Sequence, residues 1–160
     1  MMRVERENEH MNIDIALIRW GHPLWEQVIT YADTCSWKAG PSLARHMRAN
    51  DFADWERVIV ALDHDAIVGY CTITTCDEMD PESGYTPFIG YVFVGESHRG
   101  HRISELMIEA ACEYARSLGY QTIYIMSGEV GLYEKYGFKK LGDFETIHNA
   151  VDQLFEKSIA

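Results

Sequence analysis

Much of what this sequence lacks bears on what it can do. No stretch approaches the roughly 18 consecutive apolar residues that a membrane-spanning helix needs, so no membrane role is expected. The first ten residues, MMRVERENEH, carry charge and no apolar centre, so no secretory leader is expected either. Residues 1–10 read as a flexible extension, and residues 11–160 as a single domain. Cysteine is scarce: there are four, at 35, 71, 76 and 112, and none forms a CxxC pair. That pattern suits reduced, mostly buried thiols in a cytoplasmic protein. The seven histidines are scattered, no His/Cys cluster has ligand spacing, and no metal is expected. Basic residues are outnumbered, 14 against 25 acids, for a formal charge of −11. A nucleic-acid binder would show the opposite sign, so none is expected as a partner.

The acids are unevenly spread. Residues 1–90 hold 15 acids against 7 Lys/Arg, residues 91–140 hold 6 against 6, and residues 141–160 hold 4 against 1. A polyanionic ligand would prefer the neutral middle stretch, and a cationic one the acidic remainder. Excess acid also serves solubility alone.

Alternation and helical periodicity divide the chain into eleven elements. Strands are predicted over 11–19, 57–62, 66–75, 87–94, 121–126, 138–144 and 150–159, and helices over 22–32, 41–50, 100–118 and 129–136. Asp63-His64-Asp65 reads as a hairpin turn. In the long helix Ile103, Met107, Ala110, Ala111, Tyr114 and Leu118 form the expected buried stripe, and Glu105, Glu109 and Glu113 a solvated face. Gly119 and Gly137 stand where helices end. The order β-α-α-β-β-β-α-β-α-β-β gives an α/β fold with a mixed sheet.

One segment carries chemistry. An apolar strand ends at Phe93-Val94, a short loop follows, and a helix begins after Arg99-Gly100-His101-Arg102-Ile103-Ser104. The first turn of a helix has open backbone N–H groups and a partial positive charge. A loop that wraps before it adds donors, and Arg99 and Arg102 add full charge, which suits a phosphate.

Arg99 to Ser104 resembles the Arg/Gln-x-x-Gly-x-Gly/Ala turn of the GNAT N-acetyltransferase superfamily, with Arg102 and Ser104 at the two small-residue positions. A second segment, Tyr133-Glu134-Lys135-Tyr136-Gly137-Phe138, resembles the family's Tyr-x-x-x-Gly-Phe. The likeness covers residues 12–160 and is strongest over 88–138. It implies a mixed, mostly antiparallel central sheet of about six to seven strands flanked by about four helices. It also implies direct acetyl transfer from acetyl-CoA, as cosubstrate, to a primary amine. Phe93 and Val94 would then meet the pantetheine arm, residues 99 to 104 would hold the pyrophosphate, and Tyr133 would protonate the departing thiolate. Arg102 is expected in helical conformation. The strand through Gly90 is expected to bulge near Gly90 or Gly95. Where the family often carries Asn, seven residues before the tyrosine, this chain has Met126.

Tyr133 also reads as an amphipathic core residue. No acid lies within 87–94, so Glu78, Asp80, Glu82 or a water chain are the candidates for the base. Tyr91 and Glu129 are further polar groups. The acceptor reads as a small polyamine, an aminoglycoside-like base or a peptide amine, and Trp20, Trp25, Trp37 and Trp55 as walls of its cavity or as core. The likeness is compatible with a homodimer. Two other readings stay open: an acyl-CoA-binding regulatory or sensor domain without catalysis, and an unrelated α/β domain with an accidental arginine turn.

Overall fold

A computed structural model of the protein describes residues 2–6 and 11–160, and side chains from residue 12 onward. Strands β1 (Met2–Arg6), β2 (Met11–Ile18), β3 (Arg57–Asp63), β4 (Ala66–Thr74), β5 (Phe88–Val94), β6 (Thr122–Ser127), β7 (Lys139–Glu145) and β8 (Val151–Ser158) alternate with helices α1 (Trp25–Thr34), α2 (Gly40–Arg48), α3 (Ile103–Ser117) and α4 (Leu132–Lys135). The strands follow the order β1-β2-β3-β4-β5-β6-β8-β7. This is the expected GNAT-like α/β fold with one more strand than the upper expectation. The addition is β1, which pairs antiparallel with β2 from Met2↔Ile15 to Arg6↔Met11. Residues 2–6 thus add to the sheet's edge where an extension was expected, while residues 7–10 lie outside the described residues. Backbone pairing to an existing edge needs no apolar signal of its own, so the composition of this segment does not announce it.

The chain divides into two compact units. The first comprises Met1–Thr72 and Tyr91–Ala110. Here α1 and α2 bury Trp25, Val28, Ile29 and Ala32, and Leu43, Ala44 and Met47, against Ala16 and Ile18 of β2, Val58, Val60 and Leu62 of β3, Tyr70 and Phe93. Both helices show the i, i+3, i+4 spacing that makes one face apolar. In β3, Val58 to Leu62 are buried on both faces, which is why its sequence is a continuous apolar run without alternation. Asp63 closes the hairpin with His64 and Asp65 at φ +48° and +69°, the left-handed pair that tight two-residue turns require.

The second unit comprises Ile73–Gly90 and Ala111–Ala160. Its core gathers Met79, Phe88, Met126 and Leu154, with Tyr85, Tyr124 and Phe144 packed around them. β6 and β8 pair antiparallel from Thr122↔Ser158 to Ser127↔Gln153. β5 and β6 pair in parallel, through Phe88↔Tyr124 and Ile89↔Ile125. A parallel pair needs a crossover, and α3 supplies it. The predicted stripe of α3 holds at Ile103, Met107, Ala110 and Ala111 but not at Leu118, which is 43% exposed. The helix stops at Ser117, and Leu118 leads into Gly119 at φ +93°, so it leaves the helical face.

Candidate functional site

The arginine turn belongs to the first unit. After Val94 the chain makes a short 3-10 turn, Glu96–His98, and then runs extended at Arg99, with φ −70° and ψ 153°. Gly95 N–H donates to Val68 O at 2.8 Å, which ties the start of the loop to β4. His98 Nε2 donates to Asp63 Oδ2 at 3.0 Å and fastens the loop to the β3–β4 hairpin. That hydrogen bond is the chief reason the Asp63 carboxyl sits below its ordinary range; loss of water works against it, and His64 adds to it. Arg99 Nε donates to Val94 O at 3.0 Å, and its guanidinium lies 5.7 Å from the centre of the Phe93 ring.

Gly100 and Arg102 both adopt left-handed conformations, with φ +85° and +59°. Arg102 therefore does not have the helical conformation expected of it: α3 begins one residue later, at Ile103. It takes the backbone shape that glycine adopts freely, at a cost of about 1–2 kcal/mol for a residue with a Cβ. Its guanidinium pairs with Glu105, one turn into the helix. Glu105 is accordingly half-buried, while Glu109 and Glu113 face solvent as expected. Leu106 N–H donates back to Arg102 O, so residues 103 to 105 form the first turn of the helix. Left-handed residues before such a turn aim successive N–H groups into one concavity, an arrangement that suits an anion.

Phe93 and Val94 lie where the sequence placed them, at the end of β5, but the Phe93 side chain points into the core. It is 6% exposed, and Trp37 stacks on it at 5.9 Å with planes 4° apart. Tyr91, one residue beyond Gly90, has φ +51° in mid-strand. Its hydroxyl shares a hydrogen bond of 2.8 Å with Ser42 Oγ of α2.

Tyr133 belongs to the second unit, in the first turn of α4. Gly131, at φ +85°, precedes the helix, and its N–H donates to Glu134 Oε2 at 3.1 Å. The Tyr133 ring is 4% exposed and sits among Tyr136, Phe138 and Phe155, with centroids 6.4, 6.1 and 5.6 Å away. Tyr136 and Phe138 N–H both donate to Tyr133 O. Gly137, at φ +90°, makes this tight return possible, which explains the Tyr-x-x-x-Gly-Phe spacing.

A model of the acetyltransferase (GNAT) family matches residues 24–138. The chain belongs to the GNAT acetyltransferase family. No curated protein matches the sequence. Among solved structures, an aminoglycoside 6'-acetyltransferase type Ii superposes with a TM-score of 0.71 at 20% identity, covering 92% of this chain and 97% of that one. An aminoglycoside 6'-N-acetyltransferase complexed with coenzyme A follows at 0.67 and 17%, with the same coverage. A further aminoglycoside 6'-N-acetyltransferase, from Enterococcus faecium, gives 0.69 and 19%, again over 92% and 97%. At these identities the likeness is one of fold.

Within this GNAT chain, Met126 departs from the family's asparagine and is 7% exposed, packed with Met79, Phe88 and Leu154. Ser127 Oγ is taken by Glu129 N–H at 3.0 Å. The tryptophans divide between roles. Trp25 is core, with Nε1 donating to Met47 O, and Trp37 packs on Phe93. Trp20 and Trp25 line a cavity of about 330 Å³ in the first unit, together with Arg19, Phe52, Asp54 and Glu56. No cluster of three or more His, Cys, Asp or Glu residues suited to a metal occurs among the described residues, and no helix there is long and apolar enough to cross a membrane.

Of the acids named as candidate bases, Asp80 accepts Glu82 N–H, and Glu78 Oε2 lies 3.4 Å from His148 Nε2. The sequence reading passed over their neighbour Asp77. Its half-buried carboxyl is pushed up to about 7, first by loss of water, then by Glu78 and Asp152, against a hydrogen bond from the Glu78 backbone. The only sequence signal for it is Gly90 inside an apolar strand, a mark of close approach by another group.

Proposed function

We propose that this chain transfers an acetyl group from acetyl-CoA directly to a primary amine. The observation that carries the reading is the pair of left-handed residues, Gly100 and Arg102, immediately before the first turn of α3. A strained non-glycine backbone persists where its surroundings enforce it, and such sites are commonly functional. In this reading the amides of residues 100 to 104 receive the pyrophosphate, the Arg99 N–H being already turned to Glu96 O. Arg99 keeps its guanidinium at the turn by its bond to Val94 O, and Arg102 contributes charge through the same loop. The β5 backbone at Phe93 and Val94 accepts the peptide-like pantetheine arm by strand-type hydrogen bonds. Acetyl-CoA supplies an activated thioester; the chain's task is to hold it beside the amine. Tyr133 delivers a proton to the departing sulfur.

The amine is cationic before it reacts. The surplus of 15 acids over 7 basic residues in the first 90 favours such a molecule. The cavity lined by Trp20, Trp25, Asp54 and Glu56 offers it aromatic faces and carboxylates. An aminoglycoside-like polyamine fits this chemistry. Thiols outside any disulfide at Cys35, Cys71, Cys76 and Cys112 support a cytoplasmic setting.

Titration calorimetry with acetyl-CoA tests the cofactor half, and thiol release across a panel of amines tests the catalytic half. Saturable binding with thiol release is expected. Binding without release from any amine would favour the non-catalytic acyl-CoA sensor, a reading that Met126 in an apolar cluster supports. No binding would remove both.

A further inference from the structure

In the second unit the sheet ends at β7, and among the described residues β8 is the one strand that pairs with it. Its outer edge therefore presents backbone N–H and C=O groups, a template for a further strand. The side chains of Lys139, Lys140, Leu141, Asp143 and Glu145 are exposed, and Gly142 and Phe144 are half-buried. Leu141, where the ladder with β8 shifts register between Lys140 and Gly142, is 37% exposed. Ile147, just past the strand, and Val151, at the start of β8, are 55% and 68% exposed. Apolar surface thus continues from the edge to the tip of the β7–β8 hairpin.

The charges on β7 run in one order: Lys139 and Lys140 precede Gly142, and Asp143 and Glu145 follow it. A strand of that kind is its own complement when it meets a second copy antiparallel. We propose that β7 pairs edge to edge with β7 of a second copy of this chain, about a two-fold axis at Gly142. Lys139 of each copy then stands opposite Glu145 of the other, and the two Leu141 side chains flank the axis. Opposite charges directly across a strand pair stabilise it, and like charges do the reverse. An in-register parallel contact would set lysine on lysine and carboxylate on carboxylate, so the charge order selects the antiparallel one. Lysines on an edge usually discourage pairing with other chains; here a carboxylate meets Lys139 across the axis. Lys140 Nζ lies 3.0 Å from Asp143 Oδ1 of its own strand, an exposed pair of little worth, so the selection falls on Lys139 and Glu145. The same surface serves both copies, and the contact closes as a dimer. It does not depend on the acetyl-transfer reading.

Sedimentation velocity of the full chain between about 1 and 200 µM reads the association. A concentration-dependent monomer–dimer equilibrium is expected. Lys139→Glu alone and Glu145→Lys alone each set like charges across the axis twice, and each should weaken the dimer by about tenfold or more. The double variant, Lys139→Glu with Glu145→Lys, restores opposite charges and should regain the wild-type affinity. An equal mixture of the two single variants should do the same, because each meets its complement in the other. That recovery separates a lost contact from a damaged fold, since a misfolded chain would not be repaired by mixing. A wild type that stays monomeric throughout this range overturns the proposal. So does a dimer that the single variants leave unchanged, or a loss that the mixture does not repair.

Discussion

If Asp77 is held near neutrality by its surroundings, it must weaken the fold when it ionises, and Asp77→Asn measures by how much. Its carboxyl lies at about 7 in the folded chain against an ordinary 3.8. Because the folded value is the higher one, the protonated form favours folding. Below the ordinary value both states are protonated and Asp77 costs nothing. As pH rises between the two values the unfolded chain releases the proton first, and stability drains away. Above the folded value the loss is complete, at about 4 kcal/mol if each pH unit is worth about 1.36 kcal/mol. Asparagine stays neutral throughout. The stability of Asp77→Asn relative to wild type should therefore grow by about 2–3 kcal/mol between about pH 5 and pH 8. For a chain of this size that is a relative rise in Tm of roughly 5–10 °C. Urea unfolding of both proteins at each pH reads the difference directly. A difference that stays constant across this range would refute the reasoning, because Asp77 would then titrate alike in the folded and unfolded chains.

Three further outcomes follow from the site. Tyr133→Phe keeps the ring among Tyr136, Phe138 and Phe155 and removes only the hydroxyl. Turnover should fall by about a hundredfold with the melting temperature and acetyl-CoA affinity kept; unchanged turnover would return Tyr133 to the core alone. Arg99→Ala with Arg102→Ala should weaken acetyl-CoA binding by roughly tenfold or more, the scale of a lost charge-assisted hydrogen bond, with binding still measurable by calorimetry through the backbone amides. Equal affinity would place the phosphates elsewhere. Gly90→Val drives a side chain against Asp77, whose Oδ1 lies 2.6 Å from a Cβ at that position, and should cost about 1–3 kcal/mol in urea unfolding; unchanged stability would show that the carboxylate moves aside freely.

The fold was legible where short-range pattern and burial coincide. Both early helices show their apolar period and β3 to β5 their apolar runs plainly, and Gly119 and Gly137 end helices in the left-handed conformation that their positions suggested. β1 was not legible, because its pairing is a backbone matter. Leu118 was misread because a 3.6-residue period says nothing of where the helix unwinds. The turn at 99 to 104 was legible as a motif, but the left-handed Arg102 was not. Its identity argues for helix, and only its place at a glycine position of the family pattern hints otherwise. Asp77 stayed hidden among four loop acids, since what distinguishes it is a strand backbone distant in sequence. Among bare carboxylates, composition cannot say which one loses its water.

The loop before α3 is anchored at three points without any ligand: Gly95 to Val68, His98 to Asp63 and Arg99 to Val94. A ligand that docks there has little chain to immobilise. The entropic penalty of ordering a free loop, about 1–2 kcal/mol for each residue's backbone, has already been met during folding. Binding at this turn should therefore be fast, with little delay from rearrangement, and the amides of Gly95 and His98, which already have backbone acceptors, should exchange slowly with solvent before any ligand is added. The stiffness also narrows choice: a receptor that does not reshape itself discriminates by fit alone, and an anion with different phosphate spacing gains little from trying it.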